Sequence, residues 1–158
     1  MKILAIDPGT STGFAFSDSG RVLSGSANFQ PKRGESGGMR LLRFHAWLDE
    51  ILTSLRPDLV VYEMAHNRGG AATAVLNQIT GKILELVEIH RQKGRVIEIA
   101  NYHSAHIKKT VLGFAGKGAT KELMVTKIKS MFPGQDIQDD DQGDALALLV
   151  TTLRDLSL

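Results

Sequence analysis

Acidic residues stand at three places where the sequence predicts that a strand ends or a helix begins. Asp7 and Glu63 each end a short apolar run, and Asp141 and Asp144 lie in the first turn of a predicted helix. Residues three apart share one face of a helix. Because ligands of α/β sheets bind beyond the strand ends, these four carboxylates could meet at one edge of a sheet.

Converging carboxylates indicate a metal-dependent reaction. Several carboxylates packed together cannot all stay ionised unless a positive charge neutralises them. Hard oxygen ligands favour magnesium or manganese. Two such ions, about 3.5 to 4 Å apart, would hold the attacking and leaving oxygens of a phosphodiester in line. The pattern therefore predicts phosphodiester hydrolysis.

Each acid also has a plain structural explanation. Asp7 precedes a Pro-Gly pair that forms turns, and a run of aspartates ahead of a helix commonly caps it. Asp140 and Asp141 both lie about one helical turn before Asp144, so spacing does not choose between them. Glu63 is harder to explain in this way, because burying a charge directly after Leu-Val-Val-Tyr is unfavourable unless the carboxylate binds something.

A mixed sheet flanked by helices is predicted to position these acids. Apolar periodicity predicts strands over 2–7, 12–17, 22–29, 59–62 and 95–100, and helices over 41–55, 71–91, 102–112, 120–131 and 141–156. Glycine-rich loops are predicted near residues 31–38 and 113–118. No linker separates two cores, so we expect one domain spanning residues 1–158.

Composition narrows the function classes. The 158 residues are 42% hydrophobic and 23% charged, as in ordinary globular domains, and no cysteine is present. A disulfide framework, a thiolate nucleophile and sulfur-ligated zinc are therefore excluded. No apolar run is long enough for a signal peptide or a membrane span, which predicts a cytoplasmic protein without membrane contact.

The net charge of +2 hides an uneven distribution along the chain. Residues 82–129 carry 10 basic and 4 acidic residues, whereas residues 130–158 carry 1 basic and 6 acidic. The basic middle is a candidate phosphate-binding surface. The acidic end is either a metal site or a solvated turn, and charge alone does not decide between them.

Several sequence blocks, in order along nearly the whole chain, resemble the RuvC family of Holliday junction resolvases. The blocks are Ile-Asp-Pro-Gly-Thr at 6–10, Thr-Gly-Phe at 12–14, Pro-Asp at 57–58, Val-Tyr-Glu at 61–63, Ile-Lys-Lys-Thr-Val-Leu-Gly at 107–113 and Asp-x-x-Asp-Ala-Leu-Ala at 141–147. A lone Asp-Pro-Gly is weak, but the ordered set is specific.

The resemblance implies an α/β, ribonuclease-H-like fold with a mixed five-stranded sheet, and a homodimer that makes paired nicks in four-way DNA junctions. It further implies that Asp7, Glu63, Asp141 and Asp144 are both the catalytic residues and the ligands of two Mg²⁺ ions, with Mn²⁺ as a substitute. The choice between Asp140 and Asp141 is thereby settled in favour of Asp141. We expect the long helix over 71–91 to form the dimer interface, since its apolar positions cover more than a narrow stripe.

Three departures from the family pattern bear on substrate choice. The turn after Asp7 is one residue shorter than in bacterial members, and the segment 113–121 is longer and richer in glycine. His66 stands where those members carry an aromatic wedge that opens the junction. The divergence resembles the phage-encoded branch of the family, so we expect forks and three-way junctions to be cut as well.

DNA contacts are expected from the basic residues that flank two glycine-rich segments. The predicted set is His66, Arg68, Lys108, Lys109, Lys117 and Lys121. Glycines let a backbone approach phosphates closely, and each lysine adds a salt-sensitive contact. His103 and His106 lie one helical turn apart without a third ligand, which favours phosphate contact or structural hydrogen bonds over zinc. Trp47 is expected to pack only.

Two other functions fit parts of the sequence. The segment 7–13 also resembles the first phosphate-binding loop of the actin, sugar-kinase and Hsp70 ATPases, but those proteins need two such halves, and this chain supplies one. A protein that binds DNA junctions without cutting them is the other alternative, along with an RNA-directed member. Retention of all four acids argues against loss of cleavage, because a carboxylate cluster without metal is costly.

Overall fold

A computed structural model describes residues 1–66 and 69–158. The strands are β1 (Ile3–Asp7), β2 (Ser11–Asp18), β3 (Arg21–Asn28), β4 (Leu59–Glu63) and β5 (Glu98–Tyr102). The helices are α1 (Gly38–Leu55), α2 (Gly70–Gln92), α3 (Ser104–Leu112), α4 (Lys121–Met131) and α5 (Asp140–Asp155). The predicted element order is confirmed.

The five strands form one mixed sheet in the order β3-β2-β1-β4-β5. β1 to β3 form an antiparallel meander, and β4 and β5 run parallel to β1. This arrangement confirms the predicted ribonuclease-H-like fold class. Since β1, β4 and β5 are parallel, their carboxyl ends lie at the same edge of the sheet, and β3 ends at that edge too.

Each face of the sheet is covered by its own helices. α1 and α2 pack on one face against residues such as Leu4 and Val60, whereas α3, α4 and α5 pack on the other against Ile3 and Val61. Alternating residues of the inner strands therefore face two separate cores, and both sets are fully buried. Trp47 lies in an aromatic cluster with Phe14, Phe29 and Phe44, so its predicted packing role is confirmed.

The fifth strand starts three residues later and ends two residues later than predicted. Residues 95–97 do not pair with β4, whose first residue, Leu59, is in register with Glu98. The Arg95 guanidinium instead donates to the carbonyls of Leu52 and Pro57 at 3.1 and 3.2 Å. Helix α3 accordingly starts at Ser104 rather than at residue 102, because the preceding residues complete the strand.

Most of the apolar face of α2, which predicted a dimer interface, is buried inside the chain, whereas Val75 and Leu76 are only half-buried. Ile79, Ile83, Leu86 and Val87 are buried inside the chain, in the core that α2 shares with α1 and the sheet. The apolar stripe of α2 is broad because it packs on both α1 and the sheet. His90, near the end of α2, is a buried polar residue. Its ring nitrogen lies 2.8 Å from a carboxylate oxygen of Asp49 on α1. The exposed face of α2 retains Leu84, which is 44% exposed.

Candidate active site

The carboxyl ends of β1 and β4 bring two acids side by side. Ile6 and Tyr62 are partners in the parallel register, and Asp7 and Glu63 follow them as the last residues of their strands. Two adjoining clefts open here, and Glu63 lines both. Asp7 lines one of them, and Asp144 lines the other. The predicted convergence at a sheet edge is therefore present in this fold.

The first turn of α5 reaches the same edge through a glycine contact. Gly13 lies on β2 opposite Asp7 in the antiparallel register. A Cβ placed on Gly13 would lie 1.8 Å from the carbonyl oxygen of Asp141, so the helix backbone packs directly on the strand backbone. Only glycine permits this approach, which brings Asp141 within electrostatic range of Asp7.

A buried hydrogen-bond network holds the start of α5 in this position. Gln142 is 4% exposed, and its amide nitrogen donates to the Ser24 hydroxyl on β3 at 2.9 Å. Its amide oxygen accepts from the backbone N–H of Gln138 at 2.8 Å. Asp139 caps the helix by accepting from the Gln142 backbone N–H at 2.8 Å. The capping role that was an alternative for the aspartate run thus belongs to Asp139.

Burial and mutual repulsion raise the pKa values of three acids. Burial raises the pKa of Asp7 well above its usual range, and Asp144, Glu63 and Asp141 raise it further in that order. Burial and then Asp144 raise the pKa of Glu63 to about 6. Burial is also the main cause that raises the pKa of Asp144 to about 6, with Asp140 and Asp141 adding to it. Ionising all these groups at neutral pH is therefore costly without added positive charge.

Two of the predicted DNA-binding lysines lie within this acidic cluster. The Lys121 ammonium is 3.2 Å from a carboxylate oxygen of Asp140 and 3.7 Å from one of Asp144. Burial alone would lower the pKa of Lys121, but these carboxylates outweigh it and raise it. Lys108 lines both clefts and lowers the pKa of Glu63. Both lysines are therefore placed to meet a phosphate at the acids.

The remaining predicted contacts are more dispersed. His66 lines the cleft that contains Asp7. Lys109 and Lys117 are exposed and line neither cleft. Arg68 lies outside the described residues. His106 makes a structural contact instead of lining the site, since its ring nitrogen lies 2.8 Å from an Asp155 carboxylate oxygen and its ring stacks on Tyr102.

The donor set fits a hard divalent cation in its chemistry. Asp7, Glu63, Asp141 and Asp144 offer only carboxylate oxygens. A cation would relieve the repulsion that raises the pKa values of Asp7, Glu63 and Asp144. As placed, no three histidine, aspartate or glutamate side chains in residues 1–66 and 69–158 converge closely enough to hold one ion. Coordination therefore requires some of these carboxylates to rotate towards one another.

Three residues of the site were assigned no role from the sequence, although Gly13 lies in the Thr-Gly-Phe block at 12–14. Gly13 and Gln142 position α5 through contacts with strands far away in sequence. Ser104, the first residue of α3, lines both clefts and donates a hydrogen bond to Glu63, which lowers that group's pKa. For Gln142, the only available hint was a polar residue between two acids of one helix.

Known proteins with the same organisation identify the family. The family model described as crossover junction endodeoxyribonuclease RuvC matches residues 3–152. The RuvC protein of Rhodopseudomonas palustris is 31% identical over 156 residues, which cover 96% of this chain and 86% of the relative. That of Syntrophomonas wolfei is 32% identical over 165 aligned positions, covering 100% and 91%.

Solved structures agree with this assignment at the level of the fold. Thermus thermophilus RuvC in complex with a Holliday junction substrate has a TM-score of 0.76 at 22% identity, covering 96% of this chain and 92% of that one. The yeast mitochondrial Holliday junction resolvase has a TM-score of 0.67 at 14% identity, covering 96% and 78%. The chain therefore belongs to the RuvC family of crossover junction endodeoxyribonucleases, which are divalent-metal-dependent nucleases of Holliday junctions.

Proposed function

We propose that this chain nicks Holliday junctions and other branched DNA by hydrolysing phosphodiester bonds at the edge formed by β1 and β4. The observation that carries the proposal is the grouping of four carboxylates with Lys108 and Lys121 at the strand ends. The nuclease is favoured over an actin-type or Hsp70-type half-domain because the family model spans residues 3–152.

In this proposal, Asp7, Glu63, Asp141 and Asp144 are the catalytic residues and hold two Mg²⁺ ions, with Mn²⁺ as a substitute. When bound, the ions would activate a water and stabilise the leaving oxygen of an in-line displacement. Gln142 and Gly13 hold the first turn of α5 against β3 and β2, which fixes the backbone that carries Asp141 and Asp144. Only the side chains then have to rotate to reach an ion.

The basic residues of the site receive the DNA backbone. Lys108 and Lys121 line the cleft that contains Glu63 and Asp144, where their ammonium groups would bind phosphate oxygens of the DNA. Lys121 additionally holds Asp144 through its ammonium group, so it links DNA binding to the position of a metal ligand. Lys109, Lys117, His66 and Arg68 complete the proposed set of DNA contacts.

We further propose that the enzyme works as a homodimer in the cytoplasm. A two-fold junction is cut on two strands most simply by a two-fold enzyme with one site in each subunit. Because Ile79, Ile83, Leu86 and Val87 are buried in the core, α2 can contribute to the contact only through its less buried residues, such as Leu84, Val75 and Leu76. In residues 1–66 and 69–158 no helix is long and apolar enough to span a bilayer.

The decisive test is a panel of labelled four-way junctions, three-way forks and linear duplexes, incubated with the purified protein in Mg²⁺, Mn²⁺ or chelator. We expect cutting that requires metal and is restricted to branched DNA. Binding of junctions without cutting in either metal would favour the binding-only alternative. Equal cutting of linear duplex would contradict structure selectivity.

Substitutions at His66 test the relaxed substrate choice. Opening a junction centre costs a few kcal/mol of unstacking, and a stacked aromatic ring returns about 1 to 3 kcal/mol per base. His66 is exposed beside Asp7 in its cleft and offers a smaller, more polar ring. We expect His66→Phe to shift preference towards four-way junctions, and His66→Ala to slow their cutting most while sparing forks. If His66→Ala slows the cutting of all branched substrates equally in single-turnover assays, His66 does not act as a wedge.

A further inference from the structure

We infer that the segment joining β3 to α1, residues 30–43, is a second binding surface for the DNA phosphate backbone. The inference rests on the proposed DNA-cutting function and concerns residues outside the carboxylate site. Sequence resemblance gave this segment no role.

The segment carries an excess of positive charge that its own acid does not neutralise. It contains Lys32, Arg33, Arg40 and Arg43, against the single acid Glu35. The Arg43 guanidinium donates hydrogen bonds to both carboxylate oxygens of Glu35, at 2.6 Å each. In the described part of the chain, no acidic group lies within 4.0 Å of the charged ends of Lys32, Arg33 or Arg40.

The segment is held in a defined conformation by the Glu35 contacts. Glu35 also accepts the backbone N–H of Lys32 at 2.8 Å. The hydrogen bonds from Arg43 and from this N–H lower the pKa of Glu35 to about 2, so the Glu35 carboxylate stays ionised at neutral pH. Gly34, with φ +84°, makes the turn between Lys32 and Glu35. Lys32 and Arg33 are consequently presented as exposed side chains on a fixed turn.

Arg40 adds a positive charge that forms no ion pair with the described residues. Its Nε is buried without a hydrogen-bond partner among the described residues. One guanidinium nitrogen lies 4.0 Å from where a Cβ on Gly37 would be, so the side chain packs on the turn that precedes α1. No acid occupies the first turn of α1. An anion held by the neighbouring basic side chains would offset this charge.

The surface lies at the catalytic edge of the sheet. β3 ends at the edge where β1 ends, and the Phe29 N–H donates to the Thr10 carbonyl at 2.7 Å, which ties the segment to the turn after Asp7. β3 stands two strands from β1, about 10 Å at ordinary strand spacing. Lys108 lies on α3, which follows β5, so it flanks the acids on the side away from β3. One DNA strand lying along this edge would meet both basic groups.

The test compares the double variant Lys32→Ala, Arg33→Ala with a matched control, Arg21→Ala, Lys93→Ala, which removes two charges at the opposite edge. Four-way junction binding is measured by fluorescence anisotropy over a salt series, in chelator. Each lost phosphate contact should reduce the slope of log K against log salt by about 0.9, so we expect a change of about 1.8 and about tenfold weaker binding at 0.15 M salt. The control should leave the slope unchanged.

Cleavage separates this inference from the proposed function. The double variant should need about tenfold more protein to reach half of its maximal single-turnover rate, whereas the control variant Arg21→Ala, Lys93→Ala should cut junctions as the wild type does. An unchanged salt slope, in a wild type that binds and cuts junctions, would overturn the inference alone. An altered oligomeric state with an unchanged slope would assign the segment to a protein contact and also overturn it. A wild type that neither binds nor cuts junctions would instead overturn the proposed function.

Discussion

Asp7→Asn is expected to lower the single-turnover rate of junction cleavage by about 10³-fold or more while leaving junction binding in chelator nearly unchanged. The amide keeps the shape of the side chain but removes the negative charge that would hold a cation. Affinity comes mainly from phosphate contacts, which the substitution does not touch. Glu63→Gln, Asp141→Asn and Asp144→Asn should act in the same direction. A wild-type rate in any of these variants would remove that residue from the proposed site.

Asp7→Asn, Glu63→Gln and Asp144→Asn are expected to stabilise the metal-free protein, which is the opposite of the usual effect of a change at a buried residue. The pKa values of Glu63 and Asp144 are raised to about 6, above their ordinary values of 4.5 and 3.8. The folded state therefore binds protons more tightly than the unfolded chain does. The stability this provides is complete below about pH 4 and is lost as the pH rises through 6.

Urea unfolding in chelator at pH 5 and pH 7.5 measures this linkage. Asp144→Asn should raise the free energy of unfolding at pH 7.5 by about 1 to 2 kcal/mol relative to wild type, and by less at pH 5. Mg²⁺ should stabilise the wild type at pH 7.5 more than the variant. Asp136→Asn, which alters an acid outside the cluster, serves as the control. A destabilised Asp144→Asn protein at pH 7.5 would contradict the raised pKa.

The strand ends were predictable because their signals are local. Apolar runs that stop at Asp7 and Glu63 locate both acids at the carboxyl ends of strands. Parallel pairing of β1 with β4 then brings the two acids together. The ends of α1 and α3 followed from periodicity. The start of α4 was also predicted to within one residue, and there the Thr120 hydroxyl accepts the Leu123 N–H as a helix cap. Local chemistry of this kind needs no knowledge of the partner elements.

Features that depend on distant partners were missed. Residues 95–97 have the apolar pattern of a strand, but the neighbouring strand starts opposite Glu98, so no partner exists for them. The predicted breadth of the apolar stripe on α2 is confirmed, and burial against the sheet and α1 accounts for most of it without a second subunit. Periodicity reports how much of a helix is covered and does not identify the covering surface.

The choice between Asp140 and Asp141 shows the same limit within the site. Spacing from Asp144 allowed both, and family resemblance selected Asp141. In the fold, Asp140 pairs with Lys121, while Asp141 lies over Gly13 and acts on Asp7. These placements support the proposed role of Asp141. They depend on a backbone contact between residues 128 positions apart, which no local pattern encodes.

Gly13→Ala should therefore have an effect out of proportion to one methyl group. The added Cβ would stand 1.8 Å from the Asp141 carbonyl oxygen and 2.3 Å from its carbonyl carbon, both backbone atoms that cannot rotate away. Either α5 or β2 must shift. We expect a loss of about 3 kcal/mol in the free energy of unfolding, the cost of a severe overpacking.

The shift should also damage the reaction, because Gly13 faces Asp7 in register and α5 carries Asp141 and Asp144. A displacement of about 1 Å in a preorganised site costs about 10²-fold in rate. The measurements are urea unfolding and single-turnover cleavage at a temperature where the variant remains folded. Gly81→Ala is the control: it lies within α2 with open space around it, so the alanine should be neutral or stabilise by up to about 1 kcal/mol. A folded Gly13→Ala protein that cuts junctions at the wild-type rate would show that the approach of α5 to β2 does not set the geometry of the acids.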